Sequence, residues 1–280
     1  MLVALKRTLL GLLPSTTRGR LRSWRFRQSI SRYPTRIVEH SYGKLRLKVF
    51  LADPLSEGWY DHDWPELPEV TILRRNRLRP GARVFDLGAH QGVVAMMLAH
   101  EVGTSGQVVA LEALPHNAET AEKNVSLNGM SQIEVIHAAI SDRSGTMTFH
   151  QRLNGSLDGG TGDQGELVVP TLTIDELAER FGMPDVVFLD VEGAECLALS
   201  SASRVVASPA DFFIEVHVGQ GLEKLGGSVQ QVLSHFPRER YELLGRAEGD
   251  AEFRPLTEND PLFSDRFFLV ALRHAPAHES

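Results

Sequence analysis

The sequence predicts an α/β fold: a mostly parallel sheet with helices on both faces, an antiparallel strand at its C-terminal edge and an extension at its N terminus. From Gly81 onward, apolar strand-like runs alternate with helical patterns, and repeated β-then-α sets consecutive strands parallel. The last two strand runs have no helix between them, which suits an antiparallel hairpin at the edge. At 280 residues, 42% apolar and 23% charged, the chain has material for one large domain and is not disordered by composition. Its one cysteine, Cys196, excludes a disulfide framework and a cysteine-rich zinc site, and fits a reducing compartment. No apolar run approaches the roughly 20 residues that span a bilayer, so a cytoplasmic protein is expected.

Charge divides the chain. Residues 1–48 hold twelve Lys and Arg against one acid, Glu39, a net of +11 within a total of −7, leaving −18 for the rest. Residues 1–34 read as a basic extension. The first thirteen are apolar around Lys6 and Arg7; the charges interrupt the run and no small-residue cleavage site follows, against a signal peptide. A short interfacial helix giving residues 1–32 peripheral membrane contact is one reading. A solvated arm, or a helix packed on the main domain, is the other. The arm lacks the aromatic platform of a single-strand binder and the remainder is acidic, so no nucleic-acid partner is expected.

Residues 35–80 read as a hairpin and helix leading into the core, and residues 81–280 as the main domain. Thr35–His40 and Lys44–Phe50 are strand runs about a Ser41-Tyr42-Gly43 turn. Pro54–Pro68 reads as loop, with Trp59, Tyr60 and Trp64 among acids. Val70–Leu78 is helical and stops at Arg79-Pro80-Gly81. Strand Arg83–Leu87, helix Val93–Val102, strand Gln107–Glu112, helix His116–Asn128 and strand Ile133–Ile140 follow. A helix begins near Ile174, and strands Val186–Asp190 and Phe212–Val216 flank a helical stretch, Ala194–Val206. Ser228–Phe236 is helical; Tyr241–Gly245 and Phe267–Leu272 are the late strands. Asn154–Gly165 breaks the rhythm with five glycines and reads as flexible filler or a lid.

The strongest local signal is Val84-Phe85-Asp86-Leu87-Gly88-Ala89-His90-Gln91-Gly92. A strand ends in an acid and a glycine turn opens a helix, whose N terminus favours negative charge; Gly88 and Gly92 permit close backbone approach. The glycines are spaced GxxxG, unlike the dinucleotide fingerprint GxGxxG, and Asp86 would repel a pyrophosphate. A ligand carrying an ammonium and a carboxylate fits the turn better, and S-adenosylmethionine has both at its methionine end. Glu112 ends the next strand 26 residues after Asp86, near the roughly 20 at which an acid meets a ribose in such folds. Taken alone, Asp86 is also an N-cap candidate and Glu112 an exposed acid at a helix entry. A nicotinamide oxidoreductase, or a cofactor-binding scaffold without catalysis, is the alternative to an enzyme that uses the sulfonium.

In order along the chain, the Asp86–Gly92 turn, Glu112-Ala113-Leu114-Pro115, Asn124 with Asn128, Ala138-Ala139-Ile140-Ser141-Asp142 with Gly145, Thr171-Leu172-Thr173-Ile174-Asp175-Glu176-Leu177, Asp190-Val191-Glu192-Gly193-Ala194-Glu195 and Ile214-Glu215-Val216-His217 resemble the motifs of FkbM-type methyltransferases. The resemblance covers about Glu69 to His217. It implies a class I, Rossmann-like fold, S-adenosylmethionine as cofactor, and O-methylation of a small-molecule or glycan acceptor. It assigns Asp86, Gly88, His90 and Gly92 to the methionine and ribose side of the cofactor and Glu112 to the ribose hydroxyls. The segment from Ala139 to Asp142 falls to adenine, with Asp142 accepting from the exocyclic amine, and Glu69 resembles the acid that precedes the cofactor turn. Asp142 also suits a turn start, and Glu69 a helix cap after Pro68. Where the family often has a lysine just before the Asp-Val-Glu-Gly motif, this chain has Phe188-Leu189.

The fourth and fifth strands carry Asp190, Glu192, Glu215 and His217 to their carboxyl ends, where open α/β sheets bind ligands. Alternation puts Asp190 with Glu192, and Glu215 with His217, on one face. Methyl transfer is an in-line displacement that depends on alignment. A base near neutrality takes the hydroxyl proton, and His217 is the candidate; Asp190 or Glu192 orients it or binds a sugar hydroxyl. The same acids with His217 also suit a divalent cation, and the histidine is compatible with a structural role. No metal is assigned. Cys196 reads as a small buried side chain.

Overall fold

The computed structural model describes residue 28, residues 30–150 and residues 166–275; most of the basic extension and the glycine-rich segment lie outside them. The chain opens with a hairpin of β1 (Arg36–Tyr42) and β2 (Leu45–Leu51) in antiparallel register. Two short helices follow, α1 (Pro54–Tyr60) and α2 (Pro68–Leu73), and then β3 (Arg83–Leu87), α3 (Val93–Val102), β4 (Gln107–Glu112), α4 (Pro115–Leu127) and β5 (Ile133–His137). A side sheet is formed by β6 (Ala139–Ile140), β7 (Gly145–His150) and β8 (Glu166–Leu172). The chain returns through α5 (Ile174–Phe181), β9 (Val186–Leu189), α6 (Glu195–Ser200), α7 (Ser203–Ala207), β10 (Asp211–Val216) and α8 (Val229–Ser234), and ends with β11 (Tyr241–Ala247), β12 (Arg254–Pro255) and β13 (Phe267–Arg273).

The main sheet runs β12-β11-β13-β10-β9-β3-β4-β5. The five strands from β10 to β5 are mutually parallel, and β13 pairs antiparallel with both β10 and β11. The antiparallel C-terminal strand therefore sits inside the edge, with β11 and the two-residue β12 beyond it. Its sequence explains this: Leu269 to Leu272 are buried in succession, as strands covered on both sides are. Alternation splits the core between the two faces of the sheet. Phe85, Leu87, Val109, Leu111, Val187 and Leu189 face α5, α6 and α8. Val84, Val108, Val186 and Phe213 face α3 and the β1–β2 hairpin, and by the same parity Asp86, Glu112 and Glu215 lie on that second face.

Several elements differ from the sequence reading for local reasons. The expected third strand divides at Ala138, whose N–H turns to the carbonyl of Glu112, so that β6 leaves the main sheet and pairs with β8. The helical stretch Ala194–Val206 is two helices broken at Ser201–Ala202. Pro54–Tyr60, read as loop, is a capped helix: Asp53 Oδ1 accepts the N–H groups of Leu55 and Ser56, and Ser56 Oγ accepts the N–H of Asp53, a capping box with proline at the first helical position. Asn124 and Asn128, one turn apart on α4, stand in for a missing strand along β2. Asn124 Oδ1 accepts the Phe50 N–H at 2.7 Å, and Asn128 both accepts from and donates to the Lys48 backbone. Among the described residues no helix is long and apolar enough to cross a membrane.

Candidate active site

A cleft of about 610 Å³, counting its open mouth, lies at the carboxyl ends of the parallel strands; Gly88, His90, Glu112, Ala139, Asp190 and Glu192 line it. The turn after β3 is shaped by steric need. Gly88 adopts φ +98°, and a Cβ there would stand 1.7 Å from the Asp190 carbonyl oxygen, so only glycine lets the end of β9 cross. His90 follows at φ +47°, a left-handed conformation uncommon outside glycine. Its N–H donates to Glu112 Oε2 at 2.8 Å, and Nδ1 shares a 2.7 Å hydrogen bond with Tyr60 Oη. The Trp59 ring packs 4.9 Å from the imidazole, centroid to centroid. Glu112 Oε1 accepts the Leu114 N–H at 2.7 Å. Burial nevertheless pushes the Glu112 carboxyl up to about 7, against the opposing pull of those backbone bonds and of Asn117. Asp86, on the same face one strand away, is pushed up to about 7 by burial, and its Oδ2 has no hydrogen-bond partner.

A second group of acids adjoins the cleft where β9 and β10 end. Glu192 stands at φ +52°, and the chain folds back through Gly193, whose N–H donates to Glu195 Oε1 at 2.9 Å. That same carboxylate oxygen takes His217 Nδ1 at 2.8 Å, with both side chains buried. Nε2 then faces Asp190 Oδ1 and Glu192 Oε2, each at 3.7 Å, and Glu215 Oε1 at 3.6 Å. Glu215 is also paired with Arg266 at 2.7 Å. Burial works to lower the His217 value, but the Glu195 hydrogen bond and the surrounding carboxylates outweigh it and push it up to about 9. The imidazole is therefore protonated at neutral pH, and the base role expected of it requires that this charge first be relieved. Burial, reinforced by Glu215 and opposed by His217, holds Asp190 well above the ordinary carboxylate range. One donor atom from each of Asp190, Glu192 and His217 lies within 4.8 Å of the others, close enough to share a metal ion.

Residues 86–243, more than half of the chain, match the model of the methyltransferase FkbM domain. The chain belongs to the FkbM methyltransferase family. Its cofactor is S-adenosylmethionine, and the nicotinamide alternative falls. Among similar proteins, a protein-L-isoaspartate O-methyltransferase of Caenorhabditis elegans is 30% identical over 38% of this chain and 46% of its own. A ribosomal RNA large subunit methyltransferase E of Halorhodospira halophila is 25% identical over 67% of this chain and 80% of its own. A solved FkbM methyltransferase of Methylobacillus flagellatus aligns with a TM-score of 0.44 at 17% identity, covering 68% of this chain and 43% of that one. The chain thus spans under half the length of the nematode protein and of the Methylobacillus chain.

The structure separates the expected site residues of this FkbM-family chain into groups. Gly88, His90, Glu112 and Ala139 line the cleft with Asp190 and Glu192, and Glu215 and His217 stand behind the latter pair. Four expected cofactor residues are placed elsewhere. Glu69 is buried 3.4 Å from Arg246, which lies over the Phe268 ring. Gly92 meets α4, where a Cβ would stand 3.1 Å from Ala121 Cβ. Asp142 is exposed and accepts from Ser141 Oγ, as a turn-forming acid does. Asp86 is buried and is not among the residues that line the cleft. Phe149 and Glu195 line or adjoin the cleft and were not among the site residues expected from the sequence. The sequence carries a signal for the latter in the three-residue spacing between Glu192 and Glu195. At the position where the family often has a lysine, Phe188 stacks on Phe213 at 4.1 Å.

Proposed function

We propose that this enzyme transfers the sulfonium methyl group of S-adenosylmethionine to a hydroxyl oxygen of a small molecule or glycan. The observation that carries the reading is the convergence of Asp190, Glu192, Glu215 and His217 beside the cleft, since a hydroxyl acceptor needs carboxylates to orient it and to take its proton. In this reading Glu112 accepts from a ribose hydroxyl, Gly88 and His90 carry the turn along the methionine part, and Ala139 and Ile140 form the floor under adenine. Asp86 contributes its charge from its buried position. The acceptor oxygen attacks the methyl carbon in line with the S–C bond. An O–C bond forms as the S–C bond breaks, its electron pair returns to sulfur, and the hydroxyl proton passes to the acid cluster. Trp59, 38% exposed at the cleft wall, offers a flat apolar face to a sugar or aromatic ring. Residues 1–34 then serve as a separate extension, and residues 35–80 as the segment that adds this wall to the 81–280 domain.

Transfer of labelled methyl from S-adenosylmethionine to four separate pools tests the proposal: hydroxylated metabolites, oligosaccharides, RNA and protein. Label in either of the first two supports it. Label confined to RNA or to protein overturns it.

A further inference from the structure

The donors behind the cleft point at one another across distances too long for hydrogen bonds. His217 Nε2 is 3.6–3.7 Å from three carboxylate oxygens, beyond the usual limit of about 3.2 Å for N–H···O. Among the described residues, this ring's one hydrogen bond is from Nδ1. The side chain is 1% exposed, and Asp190 Oδ1 is buried without a hydrogen-bond partner. Buried polar atoms are nearly always satisfied, so the unpartnered Asp190 oxygen, with Nε2 facing it at 3.7 Å, leaves a place for a ligand between them. Two donors that each bind one cation at about 2.1 Å are held apart at this kind of separation.

The opposite side of the imidazole completes the pattern. Nδ1–H donates to the fully buried Glu195 carboxylate, which fixes the ring and turns Nε2 toward Asp190 and Glu192, where a cation takes the place of the Nε2 proton. A carboxylate orienting a histidine from behind is the usual support of a metal-binding imidazole. Glu215, already answered by Arg266, stays in the surrounding layer. We propose that Asp190, Glu192 and His217 bind a divalent cation of the Mg²⁺ or Mn²⁺ class, with Glu195 as the positioning residue. Two carboxylates and one imidazole favour such a hard ion, which retains open positions for oxygen ligands. The site stands on its own geometry; its purpose rests on the methyl-transfer reading. A cation here holds the acceptor oxygen and stabilises its deprotonated form, the proton leaving by way of the neighbouring acids to solvent. It selects acceptors with two neighbouring oxygens that can chelate, such as a vicinal diol or a catechol.

The test is titration of the whole protein with Mn²⁺ in the presence of saturating S-adenosylhomocysteine, read by the loss of free-ion spin resonance and by spin-echo modulation from directly bound ¹⁴N. One ion per chain is expected, with nitrogen modulation in the unmodified protein, a reading that needs no variant to fold. Glu192→Gln, at a partly exposed side chain, is expected to weaken binding at least about tenfold, and Glu195→Gln by about 10–100-fold. Absence of stoichiometric binding, an ion without nitrogen modulation, or undiminished affinity in Glu192→Gln overturns the site. So does Mn²⁺ binding that S-adenosylhomocysteine abolishes. S-Adenosylhomocysteine affinity and methyl transfer after chelation are measured on the same samples. Intact transfer in metal-free protein removes the cation and leaves the methyltransferase reading standing; loss of cofactor binding or of transfer to any hydroxyl acceptor strikes the latter.

Discussion

Replacing Glu112 with glutamine tests the cofactor cleft most directly. Each oxygen of its carboxylate already accepts one backbone N–H, from His90 at 2.8 Å and from Leu114 at 2.7 Å, and Asn117 hydrogen-bonds the same carboxylate, which leaves lone-pair capacity for one ribose hydroxyl. Burial pushes the carboxyl up to about 7, so about half of it is protonated at pH 7 in the free protein. Binding that uses the carboxylate should then weaken by about tenfold between pH 8 and pH 6 and should release about half a proton at pH 7. Glutamine keeps one acceptor and presents an NH₂ group to one of the two backbone donors. Loss of a charged hydrogen bond is worth about 1.5–3 kcal/mol, or about ten- to a hundredfold in affinity. The unsatisfied N–H costs a further 1–3 kcal/mol or so of stability. Calorimetry with S-adenosylhomocysteine in buffers of different ionisation enthalpy reads affinity and proton release together, and thermal melting reads stability. An unchanged affinity for Glu112→Gln at pH 8, or equal proton release by variant and parent, would refute the reasoning.

Other perturbations follow from the same geometry. Gly88→Ala adds a Cβ 1.7 Å from the Asp190 carbonyl at a positive φ and should cost more than about 3 kcal/mol; an unchanged melting temperature would contradict the close crossing. Asn124→Ala removes the acceptor of the Phe50 N–H and the donor to the Gln91 carbonyl; a loss of about 2–4 kcal/mol is expected in denaturant unfolding, with faster hydrogen exchange along β2. Asp86 and Glu112 have folded-state values of about 7 against ordinary values of 3.8 and 4.5. The folded state therefore holds more protons between pH 5 and 7, and the cofactor-free protein should lose about 1–3 kcal/mol of stability per pH as pH rises through that window. A melting temperature that climbs from pH 5 to 7, or that falls equally in Asp86→Asn, would count against those values.

The parallel core was legible because its strands are buried on both faces and read as unbroken apolar runs between helical patterns. Elements held by long-range bonds were not. The helix Pro54–Tyr60 spans seven residues, too few to show a helical period, and depends on Asp53 Oδ2 meeting Gln91 and His116. β8 contains Pro170 and pairs outside the main sheet, so neither period nor composition announced it. Glu69 looked like a cofactor acid because its partner, Arg246, lies 177 residues away. Asp86 and Glu112 could be found from their strand-end positions, but only packing tells that Glu112 lines the cleft and Asp86 does not. Glu195 was visible as a helix-starting acid; its bond to His217 exists because the glycine turn returns the chain across the end of β10.

Asp86, Glu112, Asp190 and Glu215 end or nearly end four neighbouring parallel strands, and burial raises all four above the ordinary carboxylate range. Aligned buried acids destabilise a domain unless something positive answers them; Arg266 pairs with Glu215 and Glu248, and the His217 imidazolium faces Asp190 and Glu215, which leaves Asp86 and Glu112 without an ion pair among the described residues. In the methyl-transfer reading, further positive charge comes with the ligands: the sulfonium and ammonium of the cofactor, and the proposed cation beside them. The reaction itself removes part of it, since the sulfonium becomes a neutral thioether when the methyl leaves. An acid near the transferred group should therefore favour S-adenosylmethionine over S-adenosylhomocysteine. Asp190→Asn should reduce that preference by about fivefold, the effect of about 1 kcal/mol expected for a charge pair in an open cleft. Competition calorimetry with the two ligands measures the ratio directly. Equal weakening of both would mean that Asp190 holds the shared part of the ligand and that the field at the cleft plays no part in distinguishing substrate from product.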